Sequence, residues 1–101
     1  MTRVVSQKLR DSAKGEECTL RLPGCGFDDG TVVLCHLPCC DKGVGLKSPD
    51  NMAIYACRHC HAVIDGPKRW EVAAIDYLRA LAETQAAFIR KGLMTIKGMK
   101  V

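Results

Sequence analysis

The sequence predicts a small α+β domain that ends in a long amphipathic helix. Two short apolar runs rich in strand-forming residues, TVVLCH at 31–36 and MAIYA at 52–56, are typical of paired strands. Between residues 67 and 91, apolar side chains recur mostly at steps of three and four, which indicates a helix with one buried face. A chain of 101 residues is long enough for one domain, spanning 1–101, with one modest hydrophobic core.

The shorter elements follow from local signals. A short helix is predicted at residues 6–13, near the start of the chain. After the first strand, the run LPCCDKGVGLKSPDN is rich in Pro, Gly, Lys and Asp and is predicted to be a loop. A second short helix is predicted at about residues 59–65, because Gly66 and Pro67 directly after it form a stop signal.

The long helix is predicted at about residues 67–91. Pro67 suits its first position, and Gly92 sits where a C-cap glycine belongs. The apolar stripe is interpreted as core. Its members are Trp70, Ala74, Tyr77, Leu78, Leu81, Ala82, Phe88 and Ile89.

Seven cysteines are the feature that most restricts the chemistry of the chain. The run MTRVVSQKLR lacks the apolar region of a secretory signal, and no apolar run is long enough to span a membrane. We therefore expect a cytoplasmic protein without membrane contact, in which close cysteines serve as metal ligands. A net charge of +4 permits a nucleic-acid partner without requiring one.

Two cysteine pairs predict one structural zinc site. Cys57 and Cys60 have the CxxC spacing of a zinc knuckle. Cys18 and Cys25 are the expected second pair, with the turn sequence LPGCG closing the wider loop between them. Four thiolates would staple a small core. The alternatives are a disulfide or buried cysteines without a metal.

Three further cysteines have no assigned partner. On a strand, Cys35 and His36 face opposite sides, and Cys35 is most simply a small buried hydrophobic residue. Cys39 and Cys40 could bind a second zinc with His59 or His36, although the sequence offers no second CxxC pair for such a site.

His61 and Asp65 lie four residues apart and share one face of the second short helix. A histidine with a carboxylate suits a harder ion such as Mg²⁺ or Mn²⁺, or a catalytic Zn²⁺. Two other interpretations stay open at this point. His61 could replace one cysteine in the zinc site, and Asp65 could cap the helix that begins at Pro67.

Taken together, these residues resemble the HNH, or ββα-metal, endonucleases. The pattern is a strand-end histidine (His36 in VVLCHLP), a loop with glycine and lysine, a central asparagine (Asn51), and then CRHCH. Essentially the whole chain is similar to the YbcO family of prophage-encoded HNH-like nucleases, and it is also similar to the nuclease domain of the phage protein Ref. The resemblance implies a zinc-stapled ββα-metal core at about residues 18–66.

The resemblance implies metal-dependent hydrolysis of phosphodiester bonds in DNA. His36 would be the general base, and Asn51 would hold its imidazole in the useful tautomer, with Asp50 as the alternative. His61 and Asp65 would ligate a catalytic Mg²⁺, Mn²⁺ or Zn²⁺. Many HNH sites have Asp or His directly before the base. Here Cys35 stands there, so Asp65 replaces that ligand, the site takes a softer metal, or catalysis is weak.

The expected partner is DNA, held through phosphate contacts that position a strand without reading its sequence. A homodimer or a recombination protein is a further expected partner. Two other functions stay open: a zinc-binding nucleic-acid module without catalysis, and a protein–protein adaptor built on the C-terminal helix and tail. The residues expected to contact DNA are Lys42, Lys47, Arg58, Lys68 and Arg69.

Overall fold

Two antiparallel strands and three α-helices form the fold of a computed structural model, which describes residues 4–38 and 49–100. The α+β class is therefore confirmed, and both strands and both short helices lie close to their predicted positions. None of these helices is long and apolar enough to cross a membrane. The elements are α1 (Gln7–Asp11), β1 (Val33–His36), β2 (Ala53–Ala56), α2 (Arg58–Asp65), a 3₁₀ helix (Pro67–Glu71) and α3 (Ala74–Arg90).

Strand β2 lies at the centre of the core, between β1 and α3. Tyr55 of β2 lies opposite Leu34 of β1, and the backbone N–H and carbonyl of Tyr55 form hydrogen bonds on the side of β2 away from β1. There the N–H of Thr19 donates to the Tyr55 carbonyl over 2.8 Å, and the Tyr55 N–H donates to Oγ1 of Thr84 over 3.2 Å. The Tyr55 ring meets Phe88 edge to face, with 5.7 Å between centroids. Helix α3 thus fixes the strand pair that carries the candidate site.

The long helix begins later than predicted. Residues 67–71 form a 3₁₀ helix, the next two residues are extended, and α-helix starts at Ala74, so the expected continuous helix over 67–91 was wrong in its first turns. Side chains explain the break. The Tyr77 hydroxyl donates to the Arg69 carbonyl, and the Arg69 guanidinium donates to the Gly66 carbonyl, each over 2.8 Å. These carbonyls therefore have partners without a continuing helix.

The buried face of α3 is rotated away from the predicted stripe. Phe88 is buried as expected, but Trp70 and Leu78 are 67% and 60% exposed. Small side chains face β2 instead, which lets the helix approach closely and places Thr84 for its hydrogen bond. The fully buried positions of α3 are Ala80, Thr84, Ala87 and Phe88. The exposed apolar side chains border a groove of about 610 Å³ that is also lined by Leu37, Met52 and Tyr77.

The end of α3 follows the prediction. Gly92 has a φ of 71°, a left-handed conformation that glycine adopts without steric cost. The N–H of Leu93 donates to the Phe88 carbonyl over 2.8 Å, and the Gly92 N–H donates to the Ile89 carbonyl over 3.0 Å. This is the bonding pattern of a Schellman motif.

Candidate functional site

Four cysteines from two distant segments meet beside the start of α2. The Sγ atoms of Cys18, Cys25, Cys57 and Cys60 all lie within 4.8 Å of one another. The Cys25 and Cys57 sulfurs are 3.7 Å apart, which is no disulfide, and none of the four is in one. A tetrahedron with bonds of about 2.3 Å to sulfur has edges of about 3.8 Å. This four-thiol cluster could therefore hold a metal such as zinc, and it unites the residues predicted from sequence.

The wide loop between Cys18 and Cys25 is held against α2 by a histidine. The Nε2 atom of His59 lies 2.7 Å from the Pro23 carbonyl, so the ring donates to the loop backbone. Gly24 has a φ of 87°, and a β-carbon there would lie 2.9 Å from the His59 ring. The loop therefore needs glycine at this turn, both for its conformation and for the close packing.

Backbone N–H groups point at two of the thiols. Phe27 donates to Sγ of Cys25 over 3.2 Å, and Gly26 donates to Sγ of Cys57 over 3.4 Å. Burial raises the pKa of Cys57, but N–H donors and neighbouring thiols outweigh burial and lower that pKa to about 6. Burial and the other thiols raise the pKa of Cys60. A cation at the centre would favour the thiolate form of all four.

A second set of ligand atoms lies toward the C-terminal end of α2. The Nε2 atom of His61 is 2.9 Å from Oδ2 of Asp65. The three residues Cys35, His61 and Asp65 each offer one ligand atom, and these three atoms lie within 4.8 Å of one another. Cys35, on β1, is 1% exposed, whereas the side chains of His61 and Asp65 are 37% and 57% exposed. This Cys35–His61–Asp65 cluster is thus closed on the strand side and open to solvent on the helix side.

The two other interpretations of His61 and Asp65 are wrong. His61 does not replace a cysteine, because four cysteines already form the first cluster and His61 belongs to the second. Asp65 does not cap the next helix, since the residue at the N-cap of the 3₁₀ helix is Gly66, with no side-chain cap hydrogen bond.

His36, the last residue of β1, contacts Asp50. Its Nε2 lies 2.7 Å from Asp50 Oδ1, while Asp50 Oδ2 accepts from the Ser6 N–H and from Nε of Arg10 over 2.7 and 3.0 Å. Burial raises the pKa of Asp50, but these hydrogen bonds outweigh it and lower that pKa below its ordinary value. Asp50 is therefore ionised, and the proton between the two residues sits on Nε2.

Asn51 makes no such contact in the part of the chain that the structure describes. Its Oδ1 is buried and lacks a hydrogen-bond partner there. The orienting role of Asn51 stays a prediction, and Asp50, the predicted alternative, has the observed contact with His36.

Cys35 and His36 face opposite sides of β1, as predicted. Cys35 faces α2, where His61 and Asp65 lie, and His36 faces Asp50. Within residues 4–38 and 49–100, no hydrogen bond or ion pair joins His36 to His61. His36 therefore follows Cys35 along the strand, but its surroundings are separate from those of His61 and Asp65 on α2.

Of the residues predicted to contact DNA, Arg58 and Lys68 are exposed. Arg69 is half-buried, and its guanidinium lies 5.2 Å from the centroid of the exposed Trp70 ring. Their contact with DNA stays a prediction. Lys42 and Lys47, like Cys39 and Cys40, lie outside the described residues.

Sequence reasoning missed Ser6 and Arg10, which complete the environment of Asp50. No local signal marks them, because Arg10 and Asp50 are forty residues apart along the chain. From strand alternation alone, Cys35 was interpreted as a small buried hydrophobic residue, and only the family resemblance placed it at the position of a metal ligand.

These features define a small α+β protein with a cysteine cluster able to bind a metal. The chain belongs to the YbcO family: the family model described as "Putative nuclease YbcO" matches residues 7–93. Proteins named "Putative nuclease YbcO" in Escherichia coli (strain K12) and Enterobacteria phage 82 are each 36% identical to it over 93 residues, covering 85% of this chain and 95% of theirs. The family predicted from sequence is therefore confirmed.

A solved structure is similar as well. It is described as that of "a putative bacteriophage protein from Escherichia coli str. K-12 substr. MG1655" and is 32% identical to this chain. The match covers 84% of this chain and 100% of that one, with a TM-score of 0.62.

Proposed function

We propose that this protein is a metal-dependent DNA endonuclease with an HNH-type site. Membership in a family whose relatives are named nucleases supports the general class. The finer proposal is carried by one observation: an open cluster of Cys35, His61 and Asp65 lies on a succession of two strands and a helix, and His36 directly follows Cys35 on β1. Such an open cluster is typical of a catalytic rather than a structural metal site.

The four-thiol cluster is proposed to hold a structural zinc ion. Its donors are all sulfur, three of the four cysteines are buried, and the 3.7 Å spacing of Cys25 and Cys57 matches a tetrahedral site. Zinc there would join the loop that carries Cys18 and Cys25 to α2, and the free energy of binding would contribute to folding.

His36 is proposed to be the general base. When the ring is neutral and Nε2 donates its proton to Asp50, Nδ1 is the nitrogen that would take a proton from the attacking water. The ionised Asp50 would then stabilise the imidazolium that forms. Asp50 is a positioning residue in this proposal, held in place by Ser6 and Arg10.

His61 and Asp65, together with the neighbouring thiol, fit a divalent ion through their donor types and their spacing. Such an ion, when bound, stabilises negative charge on a phosphate and on the leaving oxygen. The exposed cations of Arg58 and Lys68 would hold neighbouring phosphates of the strand.

The test is nicking of supercoiled plasmid with added Mg²⁺, Mn²⁺ or Zn²⁺, comparing wild type with His36→Ala and measuring zinc content in both. We expect the rate to fall at least about 100-fold, as for loss of a general base, with zinc still bound to the four-thiol cluster. His59→Gln is the matched control, because its amide can still donate to Pro23 and His59 lies in neither proposed site. Equal cleavage by wild type and His36→Ala would contradict the proposal.

The two other functions give different results in the same experiment. A binding module without catalysis would bind DNA, as tightly after His36→Ala as before, and would not cut it. An adaptor would bind no DNA even at low salt, where phosphate contacts are strongest. A homodimer or a recombination partner stays a prediction, which sedimentation with and without DNA would test.

A further inference from the structure

Cys35 is the one member of the open cluster that comes from a strand. It pairs with Ile54 across the sheet, so the backbone at this point is held by the ladder between β1 and β2. Its side chain is 1% exposed and points toward the helix face that carries His61 and Asp65. A thiol in this position can do more than fill the core, because a ligand atom of His61 and one of Asp65 lie within 4.8 Å of its sulfur.

The three donors have the arrangement of a catalytic metal site with protein ligands on one side. His61 and Asp65 are one helical turn apart, and their ligand atoms are 2.9 Å from each other. An ion between them would increase the distance between these two atoms by only a few tenths of an ångström. Two ligand atoms bonded to one tetrahedral ion at about 2.0–2.2 Å lie about 3.4 Å apart. The exposed side chains leave the solvent side open for a substrate oxygen.

We infer that Cys35 is the third protein ligand of the metal held by His61 and Asp65, and that its thiolate makes this site select Zn²⁺ over Mg²⁺ and Mn²⁺. This inference rests on the proposed function for the role of the metal. Thiolate is a soft ligand that suits Zn²⁺ and Co²⁺ and is a poor partner for Mg²⁺. Binding releases the thiol proton of Cys35 to solvent, so the site becomes one thiolate, one neutral imidazole and one carboxylate.

A thiolate ligand changes which ion the site prefers but leaves the charge of the site the same. With one thiolate and one carboxylate, the two negative charges of the ligands balance the charge of a divalent ion. Two carboxylates with a histidine would carry the same charge but would favour Mg²⁺ or Mn²⁺. The residue before the strand-end histidine therefore sets the identity of the metal without changing the charge of the site.

The test uses the full chain with zinc in the four-thiol cluster and one further equivalent of Co²⁺. X-ray absorption at the cobalt edge then reads the second metal alone, and we expect one sulfur neighbour at about 2.3 Å among nitrogen and oxygen neighbours. Thiolate-to-cobalt absorption in the near ultraviolet should appear in the same sample. A shell with no sulfur would overturn the inference. A shell of four sulfurs would also overturn it, because cobalt would then have entered the four-thiol cluster instead.

Two substitutions of Cys35 sharpen the test. Cys35→Ala should lose the thiolate absorption and weaken Co²⁺ and Zn²⁺ binding at least about 100-fold, since loss of an outer partner of a ligand alone costs 10–100-fold. Cys35→Asp should instead gain Mn²⁺ binding, measured by electron paramagnetic resonance. Unchanged Co²⁺ affinity in Cys35→Ala would overturn the inference. The cobalt spectrum of wild type decides the matter even if a variant fails to fold.

Failure of this inference and failure of the nuclease proposal are distinguishable. Plasmid cleavage with Mg²⁺ by a protein whose cobalt site lacks sulfur would overturn the role of Cys35 and leave the nuclease standing. One sulfur on cobalt without any cleavage would support the Cys35 ligand and count against the nuclease.

Discussion

The two clusters use the same helix but differ in burial and in donors. Cys57 and Cys60, at the start of α2, belong to a set of four thiols that is largely buried. His61 and Asp65 follow on the same eight-residue helix, where they join one buried thiol and remain partly exposed. A metal with four thiol ligands, three of them from buried cysteines, has no position left at which a substrate could bind. A site with three mixed donors and an open side does.

Adjacent residues of one short motif can therefore serve separate tasks. Cys60 and His61 are neighbours in the chain, yet a rotation of about 100° per residue sends their side chains to different faces of α2. Substitutions and metal removal test whether the two clusters have separate tasks.

The four-thiol cluster should be required for folding. Removal of metal by a strong chelator, or Cys60→Ala, should unfold the chain, because structural zinc contributes about 10–16 kcal/mol in small domains and total stability is about 5–15 kcal/mol. Circular dichroism before and after chelation measures the effect, and added zinc should restore the chelated wild type. A metal-free protein with an unchanged spectrum and cooperative unfolding would remove the structural role of this cluster.

The open cluster should be dispensable for folding but not for chemistry. His61→Ala should keep the zinc of the four-thiol cluster and the helical spectrum, while the second metal is lost and plasmid nicking falls at least about 100-fold, or about 2.7 kcal/mol of barrier. Metal analysis and the nicking assay measure the two effects side by side. Loss of both metals in this variant would show that the clusters are not independent.

Asp50→Asn should destabilise the protein moderately and slow catalysis. The carboxylate is buried and accepts hydrogen bonds from Ser6, Arg10 and His36. Hydrogen bonds to a charged group contribute about 1.5–3 kcal/mol, so we expect a loss of about 2 kcal/mol in unfolding free energy at pH 7. Urea unfolding measures it, with the exposed Asp28→Asn as the matched control. Equal stability of wild type and Asp50→Asn would mean that this network does not hold α1 to the sheet.

Glu83→Gln should have the smallest effect. Glu83 forms a two-pronged ion pair with Arg21, in the loop between Cys18 and Cys25, at 2.8 Å for each contact. The pair is more than a third exposed, so we expect at most about 1 kcal/mol at neutral pH. If zinc already fixes the loop, this ion pair adds little to its stability. Urea unfolding of the zinc-loaded proteins should therefore show only a small difference in unfolding free energy between wild type and Glu83→Gln.

The pH dependence of that difference has a definite sign. Hydrogen bonds from Arg21 outweigh the effect of burial and, with Arg79, lower the pKa of Glu83 from 4.5 to about 2. A lowered pKa stabilises the folded state above pH 4.5, and the stabilisation is lost as pH falls from 4.5 toward 2. The gap between wild type and Glu83→Gln should therefore be constant above about pH 5.5 and begin to narrow as pH falls to about 4.5, measured where metal analysis finds zinc still bound to both proteins. A gap that widens in acid would contradict the assignment.

Local sequence signals predicted most of the elements. The two apolar runs pair as strands and Gly92 ends α3, because each signal acts within a few residues of the structure it determines. The long helix was predicted less well. Its apolar pattern could not reveal that Tyr77 and Arg69 satisfy the carbonyls of the preceding turn, since those contacts depend on how the chain folds back.

The residues that could hold a metal are recognisable from the chain alone. The spacing of Cys57 and Cys60, and the one-turn separation of His61 and Asp65, set their relative positions because a helix has a fixed geometry. Which of these residues lie together depends on the folded structure. It brought Cys35 across from β1 to the open cluster, and it placed Asp50, not Asn51, against His36. Such contacts join segments far apart in the chain, and packing and burial, which no local pattern records, decide between neighbouring candidates.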